Sequence, residues 1–110
     1  MTNVKFFADN EGLYGFHISG HSSKDCDDEV GKIVCSAVSS AAYMAANTVI
    51  EVIGDEYEAC IDEAEMVFKV KNPSDASKTV LNGLLLHLKE LSNQYGNNIR
   101  LHGGAKDVKD

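Results

Sequence analysis

One cysteine and one histidine in this chain have predicted positions that suit nucleophilic chemistry. Cys35 falls in the first turn of the longest predicted helix, and His21 directly follows a predicted strand. The first turn of a helix has unpaired backbone N–H groups and positive potential, which favour the thiolate form of a cysteine. The same N–H groups could receive the oxyanion that forms when a thiolate attacks a carbonyl. With the histidine as general base, the two residues predict a Cys–His nucleophilic site.

Each of these residues also has an ordinary structural explanation. A helical cysteine is more often a small core residue, and a histidine at a loop edge is more often solvated. Zinc bound by His21, Cys26, Cys35 and neighbouring aspartates is chemically possible, but the spacing matches no structural zinc pattern, so we expect no metal and no cofactor. A redox pair of Cys26 and Cys35 is a further alternative. Cys60 lies in a predicted strand and is expected to pack rather than react.

Hydrophobic periodicity predicts the elements that position this site. Alternating runs predict two β-hairpins, and apolar residues at three- and four-residue steps predict two helices. The predicted strands are 4–8, 13–19, 56–61 and 65–71, with 99–102 as a candidate final strand, and the predicted helices are 33–53 and 75–95. The order ββαββα predicts an α+β fold of two layers, with both helices on one face of a mainly antiparallel sheet.

Finer features of these elements are also predicted. Ser74 or Asp75 is the expected N-cap of the second helix. Tyr14 is assigned to the same face of its strand as Phe16 and Ile18. Residues 1–102 are predicted to form one domain, since a chain of 110 residues supports a single core, and 103–110 are predicted to be a disordered tail.

Composition limits the classes of partner. The net charge is −7 and the Lys and Arg residues occur singly along the chain, which argues against direct binding of nucleic acid and favours a basic partner. We expect no membrane span, because no apolar run looks long enough, and we expect a cytoplasmic protein, because the N-terminus lacks signal-peptide features. An odd number of cysteines makes a disulfide framework an unlikely basis for the fold.

The residues around the candidate site resemble a known family. Gly20-His21 precedes a loop, and Gly31-Lys32-Ile33-Val34-Cys35-Ser36-Ala37-Val38-Ser39 opens an alanine-rich helix. This arrangement is similar to the ribosomal-processing cysteine protease family Prp. The resemblance implies a bacterial cysteine endopeptidase that removes the N-terminal extension of a large-subunit ribosomal protein and so supports ribosome assembly. It implies that Cys35 is the nucleophile and His21 the general base, that Ser39, Gly20 and Gly31 support the site, and that the protein is a homodimer.

Two departures from the family pattern leave alternatives open. Many members carry an Asp three residues before the cysteine, where this chain has Lys32. The third catalytic partner is therefore unassigned, with Asp25, Asp27, Asp28 or a backbone carbonyl as candidates. The loop between histidine and cysteine is also longer than usual and contains an additional cysteine. A non-catalytic, ribosome-associated peptide-binding module with the same fold is the alternative function.

Overall fold

The described residues of this computed structural model, 1–20 and 29–103, form five strands and two helices. The strands are β1 (Thr2–Asp9), β2 (Gly12–Ser19), β3 (Tyr57–Ile61), β4 (Glu65–Val70) and β5 (Ile99–Gly103), and the helices are α1 (Glu29–Asn47) and α2 (Asp75–Gln94). A π-helical segment, Thr48–Ile53, continues α1 directly. The predicted order of elements is confirmed, including the short final strand. Of the predicted tail, residue 103 ends β5, and 104–110 lie outside the described residues.

All five strands belong to one sheet, in the order β3-β4-β2-β1-β5. The pairs β1–β2, β2–β4 and β3–β4 are antiparallel, whereas β5 lies parallel to β1. The parallel pair follows from the position of α2, because a parallel strand needs a crossover connection and the chain returns through this helix before β5. The α+β fold with a mainly antiparallel sheet is confirmed, and the complete sheet is mixed.

The two faces of the sheet differ in what covers them. One face packs against both helices, and its strand residues together with the inner sides of the helices form the core. The largest side chains with almost no solvent exposure are Phe16, Phe68, Ile18, Met66, Leu81 and Leu88. The opposite side we call the open face. Strand alternation and cross-strand register place on it Asn3, Lys5, Phe7, His17, Ser19, Glu58, Cys60, Glu65, Val67, Lys69, Arg100 and His102.

Tyr14 lies on the open face, so its predicted assignment beside Phe16 and Ile18 was wrong. The register of β1 and β2 shifts between Phe7 and Ala8, which is a β-bulge. The extra residue breaks the alternation, and the Tyr14 ring stacks on the Phe7 ring at a centroid distance of 5.8 Å. Alternation counted along the sequence gives the wrong face wherever a bulge intervenes.

The first helix differs from its prediction at both ends. It begins at Glu29, four residues before the predicted start at Ile33, so part of the predicted loop is helical. At its other end Val52, three residues after the buried Val49 and so expected on the inner side by helical spacing, is 79% exposed. Hydrogen bonds of the π type widen the last turn, as shown by the Gly54 N–H donating to the Val49 carbonyl at 2.8 Å, and a widened turn moves later residues off the stripe.

The continuous helix Glu29–Ile53 is also long and apolar enough, by composition, to cross a membrane. The expectation that no such apolar run exists was therefore wrong. In this fold the helix packs against the sheet, with Val34, Val38, Ala42 and Val49 fully buried. Core helices satisfy the same criterion of length and composition, so this feature has a sufficient explanation in the packing of the domain.

A carboxylate joins the end of the first helix to the start of the second. Asp55 accepts hydrogen bonds from the Ser77 hydroxyl (2.6 Å), the Ser74 hydroxyl (2.7 Å) and the Ser74 N–H (2.9 Å). These bonds hold the pKa of Asp55 below its ordinary value, with the Ser77 hydroxyl contributing most. Ser74 is itself the N-cap of α2, because its hydroxyl accepts from the Ser77 N–H. The predicted cap is confirmed, and Asp55 is a structural partner that the sequence pattern did not reveal.

Candidate active site

Cys35 lies in the second turn of α1, not in the first. The helix begins at Glu29, so residues 29–32 form its first turn and Cys35 falls in the next one. The prediction that Cys35 lies in the first turn is therefore wrong, whereas the prediction that first-turn N–H groups receive an oxyanion stays a prediction. The residue is 7% exposed and lies on the inner side of the helix with Val34 and Val38. An attacking thiol here depends on access from the direction of the helix N-terminus.

Two residues on the preceding turn of α1 are the helical neighbours of Cys35 in that direction. Side chains on an α-helix lean toward its N-terminus, so the thiol of Cys35 leans toward the turn that contains Gly31 and Lys32. Gly31, four residues earlier, is half-buried and adds no side chain above the thiol. Lys32, three residues earlier, is exposed, and its ammonium group adds positive charge to this end of the helix. The first-turn N–H groups and Lys32 together favour a thiolate that forms nearby.

Ser39 follows Cys35 by four residues on the same side of α1. It is half-buried, between the fully buried core positions and the exposed side of the helix. Residues four apart on a helix are neighbours, so the hydroxyl lies one turn below the thiol. The supporting role that the family resemblance implies for Ser39 stays a prediction.

Gly20 shapes the chain at the end of β2, immediately before His21. Its φ is +75°, a left-handed conformation, and a Cβ at this position would overlap the carbonyl oxygen of Met1. Its N–H donates to the Ala64 carbonyl at 3.2 Å. Both the backbone conformation and the close approach of the N-terminus therefore require glycine here. Gly20 acts through the backbone, by directing the chain that leads into the candidate histidine.

Several predicted residues fall outside the part of the chain that the structure describes. Residues 21–28 contain His21, Cys26 and the aspartates proposed as a third partner. The predicted pairing of His21 with Cys35 and the unassigned third partner therefore stay predictions. The same applies to the alternatives that used Cys26.

The remaining cysteine and histidines of the described segments do not assemble into a second site. Cys60 lies exposed on the edge strand β3 and on the open face, so the expectation that it packs inside was wrong. His17 Nε2 lies 3.6 Å from a carboxylate oxygen of Glu65, too long for a hydrogen bond. His102 Nε2 lies 3.3 Å from Asn3 Oδ1. Within residues 1–20 and 29–103, His, Cys, Asp and Glu form no cluster suited to a metal ion.

A groove lies between the outer sides of α1 and α2. It measures about 670 Å³, and Ala37, Ala41, Met44, Val80, Gly83 and His87 are among its lining residues. Cys35 and Ser39 face roughly the opposite side of α1, at about 100° of rotation per residue. The groove is therefore separate from the candidate nucleophile, and the site is identified by its chemistry rather than by cavity size.

A model of the cysteine protease Prp family matches residues 1–100. The match spans nearly the whole described chain and includes Gly20, Gly31, Cys35 and Ser39. The chain therefore belongs to the cysteine protease Prp family, a class of ribosomal-processing proteases. A sequence comparison with curated proteins found no match.

Solved structures confirm the fold at low sequence identity. The essential ribosomal processing protease Prp from Staphylococcus aureus in complex with a substrate peptide has a TM-score of 0.85 at 20% identity, covering 93% of this chain and 98% of that one. The same protease with a covalently linked product peptide has a TM-score of 0.78 at 21% identity, with the same coverage. A Streptococcus mutans protein has a TM-score of 0.82 at 19% identity, covering 92% of this chain and 95% of that one.

Proposed function

We propose that this protein is a cysteine endopeptidase that removes the N-terminal extension of a bacterial large-subunit ribosomal protein. The observation that carries the proposal is the match of residues 1–100 to the cysteine protease Prp family. The position of Cys35 near the N-terminus of α1 supports it, since the positive end of the helix dipole favours a thiolate. The activity takes place in the cytoplasm, where ribosomal proteins join the assembling subunit.

The mechanism assigns one role to each partner of the pair. The Cys35 sulfur attacks the scissile carbonyl, and His21 accepts the thiol proton. His21 then returns that proton to the leaving amine, and the acyl group stays on sulfur as a thioester. Water hydrolyses the thioester with His21 as base, which releases the second product and restores the thiol. N–H groups and Lys32 at the start of α1 stabilise negative charge during these steps.

A peptide substrate is supported by a relative and by charge. The Staphylococcus aureus protease was solved with a substrate peptide and with a covalently linked product peptide. This chain has a net charge of −7, which attracts a basic N-terminal segment at long range. The attraction weakens as salt is added, because the Debye length falls to about 10 Å at 0.1 M.

A homodimer belongs to the proposal, with the groove between α1 and α2 as its interface. Met44, which lines this groove, is 65% exposed, and a second copy would cover it. A Cβ at Gly83 meets no atom within 4 Å, so the groove floor is open. Gly83→Gln would fill the groove without disturbing the monomer, and light scattering should report a shift from dimer to monomer. A dimer that persists in this variant would place the interface elsewhere.

The decisive experiment is cleavage of a synthetic peptide that carries the ribosomal extension. The wild-type protein should cut it once, whereas Cys35→Ala should lose roughly 10⁴-fold or more in rate. His21→Ala should lose activity to a comparable extent, since a nucleophile and its base act as one unit. Cys60→Ala is the matched control and should retain full turnover, because Cys60 lies on the opposite face of the sheet.

The same experiment distinguishes the alternative, a peptide-binding module without turnover. Lys32 in place of the family's aspartate is the observation that favours this alternative. A binding module would retain the peptide intact, and Cys35→Ala would change its affinity little. Cleavage that survives in Cys35→Ala would exclude Cys35 as the nucleophile.

A further inference from the structure

Three cations that are far apart in the sequence lie on the same open face of the sheet. Lys5 is on β1, Lys69 on β4 and Arg100 on β5, and the cross-strand register points all three away from the helices. His17 and His102 lie beside Lys5 in one row across the sheet. Lys and Arg residues occur singly along the sequence, and the pairing of the strands places these three on one face.

Among the described residues the carboxylates on the open face form no ion pair with these cations, although Glu58 lies opposite Lys69 in the register of β3 and β4. Glu58 lies 3.8 Å from the ammonium group of Lys71, and Glu65 lies 3.6 Å from His17. Among the described residues, Lys5, Lys69 and Arg100 have no carboxylate within ion-pair distance. Lys5, Lys69 and Arg100 outnumber Glu58 and Glu65, so the open face has a small excess of positive charge on a protein whose net charge is −7.

Two aromatic rings lie among these cations. Phe7 and Tyr14 stack at a centroid distance of 5.8 Å with an interplanar angle of 20°. The ammonium groups of Lys69 and Lys5 lie 5.0 and 6.0 Å from the centre of the Phe7 ring. Both rings are only half-buried, so part of their surface is accessible.

We propose that the open face, through Phe7, Tyr14, Lys5, Lys69 and Arg100, binds single-stranded RNA. Rings on an exposed sheet stack on unpaired bases, and flanking cations contact the phosphate backbone. An acidic polypeptide would satisfy the cations but has no bases to stack on Phe7 and Tyr14. A duplex would also leave the rings without a partner, since its bases are already stacked. The proposal opposes the expectation from composition that the protein does not contact nucleic acid.

This inference is independent of the proposed peptidase. The open face lies on the far side of the sheet from α1, so its residues contact neither Cys35 nor Ser39. Variants of the open face should leave cleavage of a free peptide unchanged. Loss of RNA binding with peptide cleavage intact, or the reverse, therefore identifies which of the two proposals fails.

The test measures the affinity of the full-length protein for a fluorescein-labelled single-stranded 12-mer RNA by fluorescence anisotropy. With three phosphate contacts, affinity should fall roughly 20-fold between 50 and 200 mM salt. The double variant Lys5→Glu/Lys69→Glu should weaken binding at least about 10-fold. Phe7→Leu, which keeps apolar bulk and removes the ring, should weaken it about 5-fold or more.

Matched controls separate a specific surface from a general charge effect. Lys78→Glu/Lys89→Glu makes the same charge change on α2 and should leave RNA affinity within about two-fold of wild type. Thermal melts of each variant confirm that it is folded. The proposal is overturned if this control weakens binding as much as the open-face variant, or if Phe7→Leu retains full affinity. Equal binding of duplex RNA, or equal competition by polyglutamate, would also overturn it.

Discussion

The covered and open faces of the sheet are formed by the same strands, but their side chains differ in packing and in solvent exposure. On the covered face, Phe16 and Phe68 are at most 1% exposed and pack against the helices, with Cys35 on the inner side of α1. On the open face, Phe7 and Tyr14 stay half-exposed among lysines. Because side chains alternate, β2 supplies Phe16 to the core and His17 to the other side. Substitutions on the two faces should therefore have separable effects on stability and on binding.

The largest expected contrast comes from removing one ring from each face. Phe16→Ala should lower the free energy of unfolding by about 3–5 kcal/mol, because it leaves a cavity in the core. Phe7→Ala should lower it by about 1 kcal/mol or less, because the ring is half-exposed and packs on one side only. Urea unfolding followed by circular dichroism measures both. If Phe16→Ala does not fold, Phe16→Leu provides the comparison, and equal losses at the two positions would contradict the division into faces.

A substitution at Gly15 tests how closely β2 and β4 approach each other, which affects both faces of the sheet. A Cβ at this position would overlap the carbonyl oxygen of Phe68. This oxygen belongs to the backbone of β4, which cannot move aside as the end of a flexible side chain can. Gly15→Ala should therefore destabilise the protein by about 1–3 kcal/mol through strain. The melting temperature reports this loss, and a melt unchanged from wild type would show that the strands have room to separate.

Asp55→Asn should weaken the connection within the helical layer that covers the sheet. The amide cannot accept the three hydrogen bonds as a charged group does, so the melting temperature should fall by several degrees at neutral pH. Glu56→Gln is the matched control, because Glu56 is exposed and its substitution removes the same negative charge. A similar fall in both variants would indicate a general charge effect.

The contribution of Asp55 should also depend on pH in a defined direction. Its folded pKa lies below the ordinary value of 3.8, so the stabilisation is fully present above that value. It is lost as pH falls through 3.8 and then through the lower folded pKa, where the unfolded chain binds the proton first. Wild type and Asp55→Asn should therefore converge in stability toward pH 2–3. A constant difference across that range would contradict the assignment.

The smallest expected effect has the opposite sign. Gly83→Ala should stabilise the protein by roughly 0.5–1 kcal/mol, because glycine in a helix interior is unfavourable and the added Cβ meets nothing within 4 Å. Comparison with Gly15→Ala shows that the same substitution changes sign with the space available. A loss of stability in Gly83→Ala would mean that the groove between α1 and α2 is more tightly filled than its geometry indicates.

Much of the fold was predictable because its signals are local. Alternation revealed the two hairpins, and the leucine stripe and Ser74 cap revealed α2 within a residue or two of its bounds. The start of α1 was missed because the polar and glycine-containing residues 29–32 have no hydrophobic period. Tyr14 was misassigned because a bulge breaks alternation without a sequence signal.

The candidate site was predictable only in part, for a related reason. The residues around Cys35 carry a family pattern that can be read in sequence order, and the family is confirmed over residues 1–100. The number of residues between the helix start and Cys35 could not be predicted, because the position of the helix start was missed. The sequence contains one weak signal of the open face, which is the alternation of Asn3, Lys5 and Phe7 along β1.

The sequence by itself determined the kind of protein, since the order of elements and the short string from Gly31 to Ser39 depend only on neighbouring residues. The tertiary structure alone decided which distant residues meet. It joined Asp55 to Ser74 and Ser77, and it placed Lys5, Lys69 and Arg100 on one surface. The physical reason is that strand register and crossover connections set these distances, and neither is written in the spacing of residues along the chain.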